Sequence, residues 1–164
     1  MNLRQVSTSE SDIVFDILHE NAIWLLSKGI FQWPLDWLES IHSEIKSSIE
    51  SGLFYAVEIN NNNLSAVIEI RSTPEEIWQN DAADALYIHK LAICRKYADS
   101  GLGRNILTLI KSQALQQNIE YLRLDCVAHN TKLREYYESC GFDLKGIVEA
   151  GEVNLALYEH QIRS

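Results

Sequence analysis

The chain has 164 residues, of which 46% are apolar, and its formal net charge at pH 7 is −9. A chain of this length and apolar content can bury a core of its own, so we predict a single domain over residues 1–164. The acidic charge argues against nonspecific binding to nucleic acid, which needs a basic surface. It favours cationic partners such as amines.

The cysteines and the hydropathy pattern limit the class of protein further. Cys94, Cys126 and Cys140 are odd in number and lack C-x-x-C spacing, which argues against a disulfide framework and a structural zinc site. We predict no bound metal. No apolar run reaches the roughly 18 residues of a membrane span, and the N-terminus lacks the apolar region of a signal peptide. We therefore predict a cytoplasmic protein without membrane contact.

The first half of the chain predicts a strand, two helices and a β-hairpin. Gly29 and Gly52 mark helix ends, Pro34 opens the second helix, and Ser9 with Asp12 resembles a helix-start signal. Four consecutive asparagines, residues 60–63, tolerate the positive dihedral angles of a hairpin turn. The predicted elements are a strand over residues 3–7, helices over 9–28 and 34–52, and strands over 53–58 and 64–70.

The second half alternates strands with helices. Residues 73–84 are polar and predict a loop with a helical turn. After it we predict strands over 86–94, 121–127, 142–148 and 153–161, with helices beginning near residues 102 and 131. This order predicts the α/β class, with a mixed sheet covered by helices.

A glycine turn between an apolar strand and an amphipathic helix is the clearest functional motif. It reads Ser100-Gly101-Leu102-Gly103-Arg104. Glycines let the backbone approach a ligand, and a helix start offers unpaired N–H groups at the positive end of its dipole. A lone G-x-G pair also fits an ordinary turn. Its position between strand and helix is what predicts a site for a phosphate-bearing cofactor.

A second motif follows, with Asn130 before a helix in which Tyr137 lies four residues ahead of Gly141. The two motifs together resemble the GNAT acetyltransferase family, in which a loop of the form [Q/R]-x-x-G-x-[G/A] holds the pyrophosphate of coenzyme A. The chain departs from that pattern at Ala98, which occupies the Gln/Arg position. The resemblance implies the acyl-CoA N-acyltransferase fold, a mixed and mostly antiparallel sheet of about seven strands flanked by about four helices.

The resemblance also implies that acetyl-CoA is the co-substrate. Residues 91–93 are expected to offer backbone N–H groups to the thioester and the pantetheine arm. Arg95, Lys96 and Arg104 supply positive charge that Ala98 lacks. The residues implied to bind acetyl-CoA are Leu91, Ala92, Ile93, Arg95, Lys96, Ser100, Gly101, Leu102, Gly103, Arg104, Asn130 and Tyr137.

Acetyl transfer to an amine needs a proton donor for the thiolate and an acceptor for the ammonium proton. Tyr137 occupies the family's general-acid position, and a phenol with an ordinary pKa of about 10 is protonated at neutral pH. A packing role is its alternative. His89 is the first candidate base, although a strand histidine also fits a simple hydrogen bond. Glu69 competes as base or as a partner for the substrate's cation, and a water chain can replace both.

The acceptor is expected to lie against the connection between the first two helices, because these helices cover the cofactor cleft in this family. Gln32 and Trp33 offer a polar group beside an aromatic wall. Trp24 and Trp37, which flank the connection, are predicted to pack the helices on the sheet.

The predicted function is transfer of an acetyl group from acetyl-CoA to a primary amine of a small molecule, by direct attack in a ternary complex. Two alternatives stay open. Ala98 and the lack of a clear carboxylate base fit a non-catalytic acyl-CoA sensor, and an open groove would fit acetylation of a protein or peptide. Exposed strand edges over residues 153–158 favour a homodimer.

Overall fold

The computed structural model describes residues 1–60 and 62–163, so Asn61 of the predicted asparagine turn lies outside the described residues. The chain divides into two compact units. The first comprises Met1–Ile70 and Lys90–Gly103, and the second comprises Arg71–His89 and Arg104–Ser164. The single domain over residues 1–164 stays a prediction.

The described residues form seven strands, five α-helices and three short 3-10 turns. The strands are β1 (Asn2–Gln5), β2 (Phe54–Ile59), β3 (Asn63–Arg71), β4 (Ala85–Ile93), β5 (Tyr121–Val127), β6 (Asp143–Ala150) and β7 (Val153–Gln161). The helices are α1 (Ser11–Ser27), α2 (Leu35–Ser40), α3 (His42–Glu50), α4 (Leu102–Gln116) and α5 (Thr131–Ser139). The 3-10 turns are Thr8–Glu10, Glu76–Trp78 and Arg95–Tyr97.

The strands follow the order β1-β2-β3-β4-β5-β7-β6 in one sheet. β4 and β5 run parallel, whereas β1 with β2, β2 with β3, β5 with β7 and β6 with β7 run antiparallel. This confirms the predicted mixed, mostly antiparallel sheet. The predicted open edge over residues 153–158 is wrong, because β7 pairs with β5 on one side and with β6 on the other.

Two predicted helix boundaries differ from the structure. The helix predicted over residues 34–52 is divided at Ile41, whose ψ of 9° separates α2 from α3. Apolar spacing continues across that break, so periodicity does not reveal it. The helix-start signal lies earlier than Ser9 and Asp12: the Ser7 N–H donates to Glu10 Oε2 at 2.9 Å, and α1 begins after this turn.

The first unit encloses an apolar core between its helices and strands. Its fully buried members come from α1, α2, α3, β2, β3 and β4, because the apolar residues of each element recur on one face. They include Val14, Leu18, Leu38, Ile45, Ile49, Phe54, Val67 and Ala92.

The second unit contains a buried cation that anchors the loop before β4. Arg123 on β5 is 4% exposed and bonds Asp81 and Glu159, both at 2.8 Å. Its guanidinium lies over Trp78, 4.6 Å from the ring centroid, and Trp78 contacts Tyr87 on β4. The 3-10 turn Glu76–Trp78, and Glu75 directly before it, are thereby fixed to the sheet.

The three cysteines are free thiols, in agreement with the sequence. Among the described residues, no helix has the length and apolarity that crossing a membrane requires.

Candidate active site

The turn after β4 has the backbone that the glycine motif predicts. Ser100 Oγ donates to the Tyr97 carbonyl at 2.6 Å, and Gly101 has a φ of 78° directly before α4 begins at Leu102. A Cβ added at Gly101 meets no atom within 4 Å. The left-handed conformation is one that glycine adopts without strain. The turn is therefore tight, and the space at its apex is open.

These residues fit a pyrophosphate. The first turn of α4 has backbone N–H groups without partners inside the helix, and the positive dipole end lies there. Positive charge is nearby in sequence: the Arg95 guanidinium lies 3.8 Å from the Trp24 ring centroid, and Lys96 lies 4.9 Å from that of Tyr97. Ala98 is in extended backbone. That the backbone and these cations replace a longer side chain at position 98 is a prediction that acetyl-CoA titration tests.

An unusual backbone conformation occurs inside β4, directly before residues 91–93. Lys90 has a φ of 49° inside the strand. A left-handed non-glycine residue costs about 1–3 kcal/mol and persists where its surroundings fix it. Its side chain is held by an ion pair, because Lys90 Nζ lies 2.7 Å from Glu69 Oε2. This left-handed residue directly precedes the segment expected to face the thioester.

Glu69 is fully buried, at 0% exposure, and this weakens its case as the base. A carboxylate that receives a substrate proton needs access to the substrate. Its ion pair with Lys90 instead gives it a part in holding the bend of β4.

We expect Glu69→Gln to lower the free energy of unfolding by about 1.5–3 kcal/mol, the value of a hydrogen bond to a charged group. Urea denaturation measures this loss. The exposed Glu76→Gln is the matched control, and we expect it to leave stability unchanged. A Glu69→Gln protein of normal stability but strongly reduced turnover would restore Glu69 as the base.

In the second unit, Asn130 and Tyr137 lie at the start and on the buried face of α5. Asn130 Oδ1 accepts a hydrogen bond from the Leu133 N–H at 3.2 Å, so this side chain caps the helix. Tyr137 packs against Phe142 and Tyr158, with ring centroids 6.1 and 6.2 Å away. The predicted alternative of packing for Tyr137 is therefore compatible with its predicted role as acid.

Burial raises the pKa of Tyr137 well above its usual value, and the nearby Cys126, Tyr136 and Asp125 raise it further. Desolvation disfavours a charged phenolate, and the carboxylate of Asp125 disfavours it too. The phenol accordingly keeps its proton throughout the neutral range. A general acid requires that protonated state at the start of the reaction.

Arg104, at the start of α4, ties that helix to the end of α5. Its guanidinium donates to the Ser139 carbonyl and to Ser139 Oγ, both at 2.8 Å. Both partners are neutral, so they leave the charge of the guanidinium uncompensated. Arg104 also lies 6.0 Å from the ring centroid of Tyr136.

His89 belongs to a cluster that the sequence did not predict. β4 residues 85–88 pair with β5 residues 121–124, and the two strands run parallel. His89 and Asp125 are therefore the residues that directly follow the last paired positions of neighbouring strands. Glu75, from the loop before β4, completes the cluster, with His89 Nε2 only 2.5 Å from Glu75 Oε1.

Ligand atoms of Glu75, His89 and Asp125 all lie within 4.8 Å of one another, and all three residues are partly buried. One imidazole and two carboxylates can receive an ammonium group or a divalent cation. The sequence missed Glu75 because it lies in a polar stretch that predicts only a loop. It missed Asp125 because a single polar residue in an apolar strand has no distinctive spacing. The available signal was the pair Ile88-His89 and Leu124-Asp125, two apolar-to-polar steps on adjacent strands.

The loop predicted to face the acceptor lies in the first unit. Gln32 and Trp33 are both partly buried, and Trp33 packs against the apolar core of that unit. Trp24 and Trp37, predicted to be packing residues, are 37% and 41% exposed. The Trp24 ring lies against the Arg95 guanidinium, 3.8 Å from its centroid.

Comparisons with known proteins agree with this fold. The chain is 29% identical over 148 residues to the uncharacterised N-acetyltransferase YesJ of Bacillus subtilis (strain 168), covering 87% of this chain and 81% of the relative. An acetyltransferase of the GNAT family from Streptococcus agalactiae has a TM-score of 0.81 at 19% identity, covering 99% of this chain and 96% of the other.

The PaiA N-acetyltransferase of Thermoplasma acidophilum, solved in complex with coenzyme A, has a TM-score of 0.71 at 17% identity, and the alignment covers 98% of each chain. At such identities the structures show a shared fold. The family model described as "Acetyltransferase (GNAT) family" matches residues 18–142, which is most of the chain. Together with the glycine turn and the paired strands of this sheet, that match shows that the chain belongs to the GNAT acetyltransferase family.

Proposed function

We propose that this acetyltransferase moves the acetyl group of acetyl-CoA to a primary amine of a small molecule, by direct attack in a ternary complex. The observation that carries the proposal is a proton donor and a proton acceptor in one unit. Tyr137 on α5 is a phenol, which is protonated at neutral pH, and His89 is held by the carboxylate of Glu75. A domain that only binds acyl-CoA needs neither group.

Direct attack by the amine is favoured over an acetyl-cysteine intermediate. Burial raises the pKa of Cys126 to about 12, and Asp125 raises it further. Burial also raises the pKa of Cys94. The thiolate is the nucleophilic form of cysteine, and at neutral pH both of these thiols are protonated. Cys94 and Cys126 are therefore poor nucleophiles, which favours attack on the thioester by the amine itself.

The proposed cofactor site uses backbone more than side chains. Residues 91–93 of β4 would face the pantetheine arm, and residues 100–103 would hold the pyrophosphate. Arg95, Lys96 and Arg104 supply positive charge, and Asn130 and Tyr137 lie along α5. When bound, the cofactor supplies an activated acyl thioester. None of the roles proposed for these side chains calls for a metal.

A small acceptor is favoured by the loop that contains Gln32 and Trp33, because a bulky side chain there narrows the room for a folded protein. The net charge of −9 favours a cationic amine. Ala98 supports the second candidate, a non-catalytic acyl-CoA sensor, since the missing Gln/Arg side chain weakens a contact that turnover would use.

Two measurements test these candidates in order. Calorimetric titration with acetyl-CoA, desulfo-CoA and the bare adenine nucleotide should give micromolar binding that depends on the pantetheine arm. Thiol release with spermidine, tyramine, lysine and hydroxylamine should then exceed the rate in buffer. Binding without release for any amine or for a lysine-containing peptide would favour the sensor, and release with the peptide alone would favour a protein acceptor.

A further inference from the structure

We propose that Glu75, His89 and Asp125 form the site that receives the acceptor's ammonium group, and that Glu75 is a positioning residue that holds the imidazole of His89 as the base. The inference rests on the proposed function, because a base is needed only where an amine is acetylated. It assigns roles to two side chains that neither the sequence motifs nor the comparisons single out.

The hydrogen bond to Glu75 determines the tautomer of the His89 imidazole. His89 Nε2 lies 2.5 Å from Glu75 Oε1, and the two side chains are 20% and 16% exposed. An ionised carboxylate can only accept a hydrogen bond, so Nε2 is the nitrogen that carries the proton. The lone pair of the neutral ring is then on Nδ1. A histidine held in one tautomer by a carboxylate has the arrangement of an oriented general base.

Glu75 is held rigidly by the turn that follows it. Its carbonyl accepts hydrogen bonds from the N–H groups of Trp78 and Asn80, both at 3.0 Å. Trp78 in turn packs between Arg123 and Tyr87. Glu75 is therefore presented by a turn that is anchored to the sheet, and not by a free loop. A carboxylate placed in this way can fix the ring of His89 with little loss of conformational entropy.

The cluster formed by Glu75, His89 and Asp125 is acidic. Two carboxylates lie beside the imidazole of His89, that of Glu75 from the loop and that of Asp125 from β5. Two carboxylates beside one imidazole attract a cation and favour its residence there. Asp125 contributes to the raised pKa of the Tyr137 phenol, and both residues belong to the second unit. An ammonium bound at the cluster would have base and acid on the same unit.

The proton balance of the step is complete without a further reactant. The ammonium gives one proton to His89 Nδ1 and becomes a neutral amine, whose nitrogen forms a bond to the acyl carbon. The C–S bond breaks, and the phenol of Tyr137 gives its proton to the leaving sulfur. The new amide nitrogen loses its second proton, which restores the phenol. His89 returns its proton to solvent, so the net products are the amide, the free thiol and one proton.

The tautomer of His89 tests the geometry without any substrate. Two-bond ¹H–¹⁵N spectra of the histidine rings distinguish the Nε2-protonated from the Nδ1-protonated form. We expect His89 to be the Nε2-protonated form in the native protein and a mixture of tautomers in Glu75→Ala. A native His89 protonated only at Nδ1 would overturn the proposal, whatever the activity.

Steady-state kinetics test the proposed roles of His89, Glu75 and Asp125. The substrate is the amine that the native protein acetylates fastest in the thiol-release assay. We expect His89→Gln to lower kcat/KM by about 10²–10⁴-fold, the usual contribution of general base catalysis. Glu75→Gln weakens the hold on the imidazole ring, so kcat/KM should fall, although less than in His89→Gln. Asp125→Asn should raise KM more than it lowers kcat, since it weakens the hold on the ammonium.

Hydroxylamine separates a base from a structural residue, because this nucleophile is already neutral at pH 7 and needs no deprotonation. With hydroxylamine as acceptor, we expect kcat/KM of His89→Gln to approach that of the native enzyme. Glu76→Gln and Asp143→Asn, at exposed positions, are matched controls. They should leave the rates of acetylation of the amine and of hydroxylamine unchanged.

Two results would overturn the proposal while leaving the proposed function intact. In the first, Glu75→Gln and His89→Gln acetylate amines at the native rate. In the second, activity disappears on dialysis against a chelator and returns with a divalent cation, which would make the cluster a metal site. Failure of the native protein to bind acetyl-CoA would instead contradict the proposed function.

Discussion

Replacing Gly101 with valine is expected to weaken acetyl-CoA binding by about tenfold or more, with the fold retained. Gly101 has a φ of 78°, and a β-branched residue is a steric outlier there. The left-handed conformation costs an L-residue about 1–2 kcal/mol, and a tenfold change in affinity corresponds to about 1.4 kcal/mol. The turn would relieve that strain by moving, and its N–H groups would leave the pyrophosphate. Calorimetric titration with acetyl-CoA measures the loss.

Gly151→Val is the matched control for this experiment. Gly151 lies in the turn between β6 and β7, has a φ of 64°, and likewise has open space where a Cβ would stand. The strain added to the folded state is therefore similar, and no role in binding is proposed for it. Equal losses of affinity in the two variants would show that general destabilisation, and not the turn before α4, explains the Gly101 result.

The sequence predicts most of the fold because the core is built from strongly periodic elements. The predicted bounds of β5 and β7, residues 121–127 and 153–161, coincide with those of the structure. The polar stretch over 73–84 does contain its predicted helical turn, Glu76–Trp78. In such segments, apolar spacing and turn residues agree, so local pattern and tertiary packing favour the same structure.

The order of the strands could not be obtained from the pattern. The edge predicted at residues 153–158 fails because β6 is the strand that flanks β7, and nothing in the alternation of β7 records which strands pair with it. The same limit explains the missed cluster. Asp125 and Glu75 are 50 positions apart in the chain, and only the parallel register of β4 with β5 and the anchored loop bring them together around His89.

The candidate site is divided between features that sequence can and cannot reveal. A phosphate cradle needs glycines at fixed spacing before a helix, so its motif is local and visible. The bend at Lys90 is held by a carboxylate on another strand, Glu69, and no local residue requires it. Groups that move protons depend on long-range neighbours for their pKa and their orientation. Those neighbours have to be read from the structure.

Replacing Tyr137, the proposed general acid, is expected to have the second large effect. We expect Tyr137→Phe to lower kcat by about 10²–10⁴-fold, the typical contribution of general acid–base catalysis. The affinity for acetyl-CoA should be retained, because the ring still packs against Phe142 and Tyr158. Steady-state kinetics beside calorimetric titration separates the two quantities. The raised pKa of Tyr137 adds a pH test: a phenol that keeps its proton predicts no descending limb of kcat due to Tyr137 up to about pH 10.

Tyr136→Phe is the control that the chain itself offers for this experiment. Burial, followed by Cys140, raises the pKa of Tyr136 to about 12, so it too is a protonated phenol on α5. It differs in its neighbours: Arg104 lies 6.0 Å from the ring centroid of Tyr136, whereas Tyr137 packs against Phe142 and Tyr158. We expect kcat of Tyr136→Phe to stay near the native value. If instead Tyr137→Phe keeps native turnover, Tyr137 is a packing residue, and the thiolate must take its proton from water or from the imidazolium of His89.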